Sequence, residues 1–289
     1  MGYDLARTVG MQAVGRHDPT TRIADGQLWR ATRTPHGPGT VHVWRSGDAL
    51  RAEAWGPGGD WLLAGVPELV GLHRPLPVLG DHHPLVTRAQ ARHPGLRIGA
   101  SRCVFHALAP AILGQRVTGL EAKRSWAGLC RALGDPAPGP AGLRLPPAPE
   151  RVAVQPYWWF HRFGIERRRA DTLVRAARVA DRLEAVVDGP IPRAREVLAV
   201  VNGVGPWTVA ETLLPALGDL DAVSVGDFHL RHQVAYALAG EPRATDERML
   251  ELLAPWAGHR AVAVRLVLLE GPGAPVYGPR QRIVPIARL

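Results

Sequence analysis

One short run limits what this chain can fold into: Val200-Val201-Asn202-Gly203-Val204-Gly205-Pro206-Trp207-Thr208. An apolar helical stretch ends at Val201, a tight turn holding two glycines follows, and a second helix begins. Gly203 and Gly205 allow positive φ and leave no side chain between backbone and ligand. Pro206 suits the first turn of a helix, where its missing N–H is not needed. The unpaired amides of that helix start point outward as anion donors. A nucleic-acid phosphate held there would be gripped through backbone and not read for sequence. Taken alone, Gly-x-Gly also describes ordinary helical hairpins.

A second run, Val223-Ser224-Val225-Gly226-Asp227-Phe228-His229-Leu230, places an aspartate at the opening of an amphipathic helix with Phe228, Leu230, Val234 and Leu238. An aspartate there is an ordinary N-cap. The positive end of the helix also favours its ionised form. A fixed negative charge stabilises the positive charge that builds on a sugar when its glycosidic bond breaks.

Charge sets the partner class. Formal net charge is +9 with a pI near 10.7, which favours a polyanionic partner, although solubility or genome composition accounts for basic surfaces too. Lys123 is the only lysine among 35 basic side chains. Arginine's planar fork suits phosphate. Two cysteines, Cys103 and Cys130, exclude a four-cysteine zinc or iron–sulfur site and read as buried thiols in a reducing compartment. Residues 1–9 carry Asp4 and Arg7 and no apolar core, so no signal peptide is expected. No apolar run reaches membrane-spanning length. A cytoplasmic, nucleoid-associated protein with no membrane partner is expected.

The order of elements reads as α+β. Residues 1–72 form a small antiparallel sheet, with strands over Leu28–Thr34, Thr40–Trp44 and Ala49–Trp55. The turns between them fall at His36-Gly37-Pro38-Gly39 and Ser46-Gly47-Asp48, and a short helix follows over Trp61–Leu72. Residues 73–100, rich in Pro, His and Gly, read as a linker packing on the helical part. Residues 101–270 form two all-helical domains with a DNA-binding cleft between them. One helical run extends from Val104 through Trp126 to Leu133, and others lie over Arg167–Val187 and Ala194–Val201. The hairpin occupies 198–215 and the aspartate loop-helix 221–239. Residues 135–149 hold six prolines and two glycines and form a loop. Residues 271–289 read as a coil tail.

Together, Gly203-Val-Gly-Pro-Trp-Thr208 and the twenty-residue step from Trp207 to Asp227 resemble the helix-hairpin-helix–Gly/Pro–Asp DNA glycosylase superfamily. Within it the chain looks most like the inducible bacterial 3-methyladenine DNA glycosylases. The likeness extends to Ala111-Ile-Leu-Gly-Gln115, to Phe163-Gly-Ile-Glu-Arg-Arg-Arg-Ala-Asp171 and to Ala254-Pro-Trp256. That family has a β-sheet domain ahead of two helical domains.

The resemblance makes Asp227 the catalytic residue, stabilising an oxocarbenium-like sugar and helping water attack. It gives a DNA phosphate to the backbone at Gly203, Gly205 and Thr208. The carbonyls of Ala199, Val201 and Val204 take the positions that bind a monovalent cation, sodium or potassium, and no other cofactor is implied. Gln115 and Arg116 fall where a wedge enters the DNA stack as the damaged nucleotide flips out. That wedge is usually apolar in this branch, and Arg116 also reads as a surface arginine. Trp207 and Phe228 supply aromatic faces to a base pocket, suited to an electron-poor purine.

Two positions depart from the family. Glu211 replaces an aromatic one turn beyond Trp207, and Arg265, Val267 and Leu268 stand where a pocket tryptophan is expected. Glu211 reads as a partner for a cationic base, as an acid for a neutral base, or as an ion-pair partner of an arginine. Trp158 and Trp159 line a cleft or fill a core. Lyase activity needs a lysine shortly before the aspartate, and Trp207 to Val209 contains none. The expectation is a monomeric, monofunctional glycosylase acting on alkylated purines of the 3-methyladenine and 7-methylguanine type in double-stranded DNA. The alternatives are a glycosylase for other lesions, such as hypoxanthine or bulky adducts, and a non-catalytic damage-binding protein.

Overall fold

The computed structural model describes residues 3–275, so most of the expected coil tail lies outside the described residues. An antiparallel sheet runs in the order β1 (Thr21–Ala24), β2 (Gln27–Thr34), β3 (Gly37–Ser46) and β4 (Ala49–Trp55). The sequence reading misses β1. Its cue is Asp25-Gly26, where both residues adopt positive φ (52° and 70°) between the paired Ala24 and Gln27. That is the geometry favoured for a two-residue hairpin turn. The second turn also moves: Gly37 pairs with Thr34, so the turn is Pro35-His36 and β3 begins at Gly37.

Leu28, Val41 and Val43 on one sheet face pack against Leu5, Val9, Leu62, Val66 and Leu69. The last three come from the short helices Gly59–Ala64 and Val66–Leu69. On the opposite face Ala31 meets Leu143 and Leu145 from the proline-rich loop.

A buried polar knot joins the sheet to the first long helix, Val104–Leu113. Arg30 Nη2 lies 3.1 Å from His106 Nδ1, Thr32 Oγ1 lies 2.9 Å from the same nitrogen, and Thr20 Oγ1 lies 3.1 Å from Nε2. Arg30 also donates to the Gln12 carbonyl at 2.8 Å. Burial, and then the neighbouring Arg30 charge, push the His106 pKa well below its ordinary value, so the ring is neutral.

The helical part has two large cores. One collects Val104–Leu113, Gly119–Leu133, Arg167–Arg178 and the hairpin helices Ile191–Ala199 and Pro206–Leu217. The expected single run from 104 to 133 breaks at Gly114–Thr118. Thr118 opens the next helix with a capping box, donating to and being reached by Glu121. The other core gathers Val234, Met249, Leu253, Trp256 and Val262. The stretch read as linker is part of that core. It contains the helix Pro84–Arg92, and Leu79, Val86, Ala89, Leu96 and Ile98 are all buried there.

The second hairpin helix serves both cores. Val209, Leu213, Ala216 and Leu217 face the first, and Leu214 faces the second. A small cluster of Ala210, Ala222 and Ala261 fills the seam. Among the described residues no single helix is long and apolar enough to cross a membrane.

Candidate active site

At the hairpin, Gly203 adopts φ +97°, and a Cβ there would sit 2.2 Å from Thr172 Oγ1. Both facts require glycine. Gly205 is the N-cap of Pro206–Leu217 in extended geometry, with open space where its Cβ would be. Among the described residues no side chain caps this helix. The amides of Trp207 and Thr208, in its first turn, are therefore free to meet an anion. Thr208 is buried, and its hydroxyl turns inward to accept from Gln115.

Gln115 has a different task from the expected wedge. Its Nε2 donates to the Gly203 carbonyl at 2.8 Å and to Thr208 Oγ1 at 2.9 Å, which ties the 114–117 turn to the hairpin. The exposed member of the pair is Arg116. It holds φ +56° and has no hydrogen-bond or ion-pair partner among the described residues. A non-glycine residue there is strained by roughly 1–2 kcal/mol. Gly114 explains more of the same motif, because a Cβ on it would stand 3.1 Å from the Trp207 ring.

Asp227 is half-buried and holds three N–H donors. Its Oδ2 accepts from Trp207 Nε1 at 3.1 Å, and Oδ1 accepts from the backbone of His229 (2.8 Å) and Leu230 (2.9 Å). The helix proper begins at Leu230, so Asp227 precedes it and does not open it. The structure thus joins the two runs singled out in the sequence through one indole–carboxylate hydrogen bond.

Phe228 is not brought to Trp207. It is 64% exposed, with its ring edge-on to His229 (5.0 Å) and His232 (6.2 Å). Trp158 is also largely exposed, whereas Trp159 packs edge-on against Phe160 and Phe163. Arg265 donates to the Arg7 carbonyl at 2.8 Å, away from Trp207. Glu211 makes no ion pair among the described residues, and its Oε1 accepts a short hydrogen bond from Ser224 Oγ.

Two residues missed in the sequence anchor the loop that carries Asp227. Asp219 is buried and takes a fork from Arg195, Nη2 to Oδ1 at 2.9 Å and Nε to Oδ2 at 3.1 Å. Asp221 accepts from Arg260 Nε at 2.8 Å and from the Gly258 amide at 2.9 Å. Burial works against ionised Asp221, but the Arg260 hydrogen bonds outweigh it and hold the carboxyl below its usual range. The cue was an Asp-x-Asp pair in an arginine-rich chain.

The carbonyls of Val201, Asn202 and Gly203 already accept from the Val204 amide, Arg175 and Gln115. Among the described residues no group of three or more His, Cys, Asp or Glu could hold a metal ion. A cavity of about 330 Å³ lies beside the hairpin and away from Asp227, with Arg175, Arg178 and Arg182 around exposed Val200. It is a basic flank to the turn.

No protein-family model matches the chain, and no curated protein does. Solved structures match over nearly its whole length. The 3-methyladenine DNA-glycosylase from Archaeoglobus fulgidus superposes with a TM-score of 0.75 at 20% identity, over 93% of this chain and 95% of that one. MBOgg1 in complex with a low-affinity DNA ligand gives 0.70 at 17%, over 93% and 92%. The 8-oxoguanine glycosylase/lyase from Clostridium acetobutylicum, bound to double-stranded DNA, gives 0.68 at 15%, over 92% and 90%.

Proposed function

We propose that this chain, which shares the fold of the helix-hairpin-helix DNA glycosylases, is a monofunctional DNA glycosylase. It hydrolyses the N-glycosidic bond of alkylated purines of the 3-methyladenine and 7-methylguanine type, in base excision repair. Its partner is double-stranded DNA carrying a damaged base, met as a monomer in the nucleoid. The observation that carries this reading is the half-buried Asp227 carboxylate, fixed by Nε1 of Trp207, a residue of the same first turn that carries the free amides of the hairpin helix.

Those amides anchor one phosphate. Arg116 enters the stack and the nucleotide turns outward, with Trp207 beside the base. An alkylated purine is positively charged and leaves readily. Asp227 stabilises the positive sugar and orients the water that completes hydrolysis. Hard carbonyl oxygens at Ala199, Val201 and Val204 suit a sodium or potassium ion bridging to the phosphate, although the Val201 oxygen already accepts the Val204 amide.

Absence of lyase activity is supported by Trp207 standing on the helix where a lysine nucleophile is needed. The sole lysine, Lys123, lies along Gly15 on the helix Gly119–Leu133.

The deciding experiment compares base release from methylated genomic DNA by the wild type and Asp227→Asn. Release falls on the order of 10²–10³-fold or more, while binding to abasic DNA persists. The two amide bonds to Asp227 Oδ1 also fit a plain cap, and hence a non-catalytic damage-binding protein. Undiminished release by Asp227→Asn removes the mechanism, and no release by the wild type favours the binding reading. DNA affinity falls as salt rises, with a log–log slope near −0.9 per phosphate neutralised.

A further inference from the structure

Two hydrogen bonds cross the same gap. Trp207 and Glu211 are four residues apart on one helix and share a face, while Ser224 and Asp227 are three apart on the anchored loop opposite. Trp207 reaches Asp227, and Ser224 reaches Glu211. The two carboxyl groups therefore flank one gap, close enough for the Asp227 charge to act on Glu211.

Their surroundings differ. Asp227 has its three N–H donors, whereas Glu211 has one hydroxyl and no cation, and its Oε2 has no hydrogen-bond partner among the described residues. Glu211 is open to solvent although protein flanks it closely. That crowding, partly offset by the Ser224 hydrogen bond, combines with the negative Asp227 to raise the Glu211 carboxyl above its usual range. Like charges sharing one site favour a proton on one of them. By hydrogen-bond count Glu211 is the less satisfied carboxyl of the two.

We propose that Glu211 donates a proton to the departing base when that base is a neutral purine lesion. The inference rests on the glycosylase reading. A cationic alkylpurine departs as a neutral molecule and needs no acid. A neutral purine departs as an anion unless a ring nitrogen is protonated. In the step, the C1′–N9 bond breaks and its electron pair goes to the base. The proton moves from Glu211 to a purine nitrogen, and water oxygen bonds to C1′. The proton released by that water returns to Glu211 through solvent.

Single-turnover release is measured from two duplexes, one carrying 7-methylguanine and one carrying hypoxanthine, with wild type, Glu211→Gln and Asp227→Asn. Glu211→Gln is nearly isosteric, and its folding is checked by thermal melting. The acid contributes on the order of 10²–10⁴-fold. Glu211→Gln is therefore expected to lower hypoxanthine release at least tenfold more than 7-methylguanine release. The wild-type hypoxanthine rate should fall as pH rises through the Glu211 pKa, and Glu211→Gln should lack that limb. Equal losses on both substrates, or no loss on hypoxanthine, overturn the proposal. So does a wild type that releases 7-methylguanine and no hypoxanthine. A wild type that releases neither base overturns the glycosylase reading itself, and Asp227→Asn releasing both at the wild-type rate removes the Asp227 mechanism, outcomes distinct from any result with Glu211→Gln.

Discussion

The junction beneath the sheet and the junction at the hairpin are both polar, yet they are finished in opposite ways. Arg30, His106, Thr20 and Thr32 are buried and spend their hydrogen-bonding groups on one another and on the Gln12 carbonyl. At the hairpin, the first-turn helix amides, one Glu211 oxygen and the Arg116 guanidinium are left without partners among the described residues, and Glu211 and Arg116 are exposed. A saturated network stabilises a fold, because each buried polar group left unmet costs about 1–3 kcal/mol. An unsaturated, accessible set with a fixed carboxylate is organised for something that arrives from outside.

The largest expected effects set the two junctions against each other. Asp227→Asn removes base release by the factor already stated but changes stability by less than about 1 kcal/mol, because asparagine accepts backbone amides as well as aspartate does. His106→Ala does the reverse, with a loss of about 2–4 kcal/mol in chemical denaturation and a normal rate per folded molecule. Loss of base release in folded His106→Ala would erase the distinction.

Gly203→Ala tests where fold and site overlap. Positive φ and the contact with Thr172 make it cost about 2–4 kcal/mol, and DNA affinity should fall with it. Acid titration isolates the sheet junction. The folded His106 pKa is depressed, so its contribution is fully present above the unfolded value near 6.5 and is lost as pH falls below that. The slope reaches at most about 1.4 kcal/mol per pH unit, read from denaturation midpoints, and vanishes in His106→Ala.

Smaller effects sharpen the hairpin side. Gln115→Ala leaves the Gly203 carbonyl and the Thr208 hydroxyl short of a donor, for about 1–2 kcal/mol in thermal melts. Arg116→Gly relieves the left-handed strain, so stability should stay within about 1 kcal/mol of wild type. Base release should nevertheless slow roughly tenfold, the scale of one lost base-stacking contact of about 1–3 kcal/mol. Unchanged release would make Arg116 a plain surface residue.

What could be read in advance follows from distance along the chain. Gly203, Pro206 and Asp227 carry short-range backbone signals, and the structure brings their two runs together as the spacing implies. The strand Thr21–Ala24 was equally local but short, and its Asp-Gly turn went unread. The helix Pro84–Arg92 was hidden by composition, although Pro84 opens it and the His83 side chain caps it. Arg195 to Asp219, Arg260 to Asp221 and Gln115 to Gly203 are long-range choices, and no local pattern announces them. Phe228 is a different case: the sequence places an aromatic beside Asp227, and which way its ring turns, here toward His229 and His232, is a tertiary choice with no local signal.

A primary amide has two hydrogens, and Gln115 spends both on the glycine turn. Under the proposed function, the finger that pries at the helix stack and the seat that grips its backbone are therefore one stiff tool. Pushing Arg116 upward pulls directly on the floor under the phosphate, so strand separation and strand holding rise and relax together.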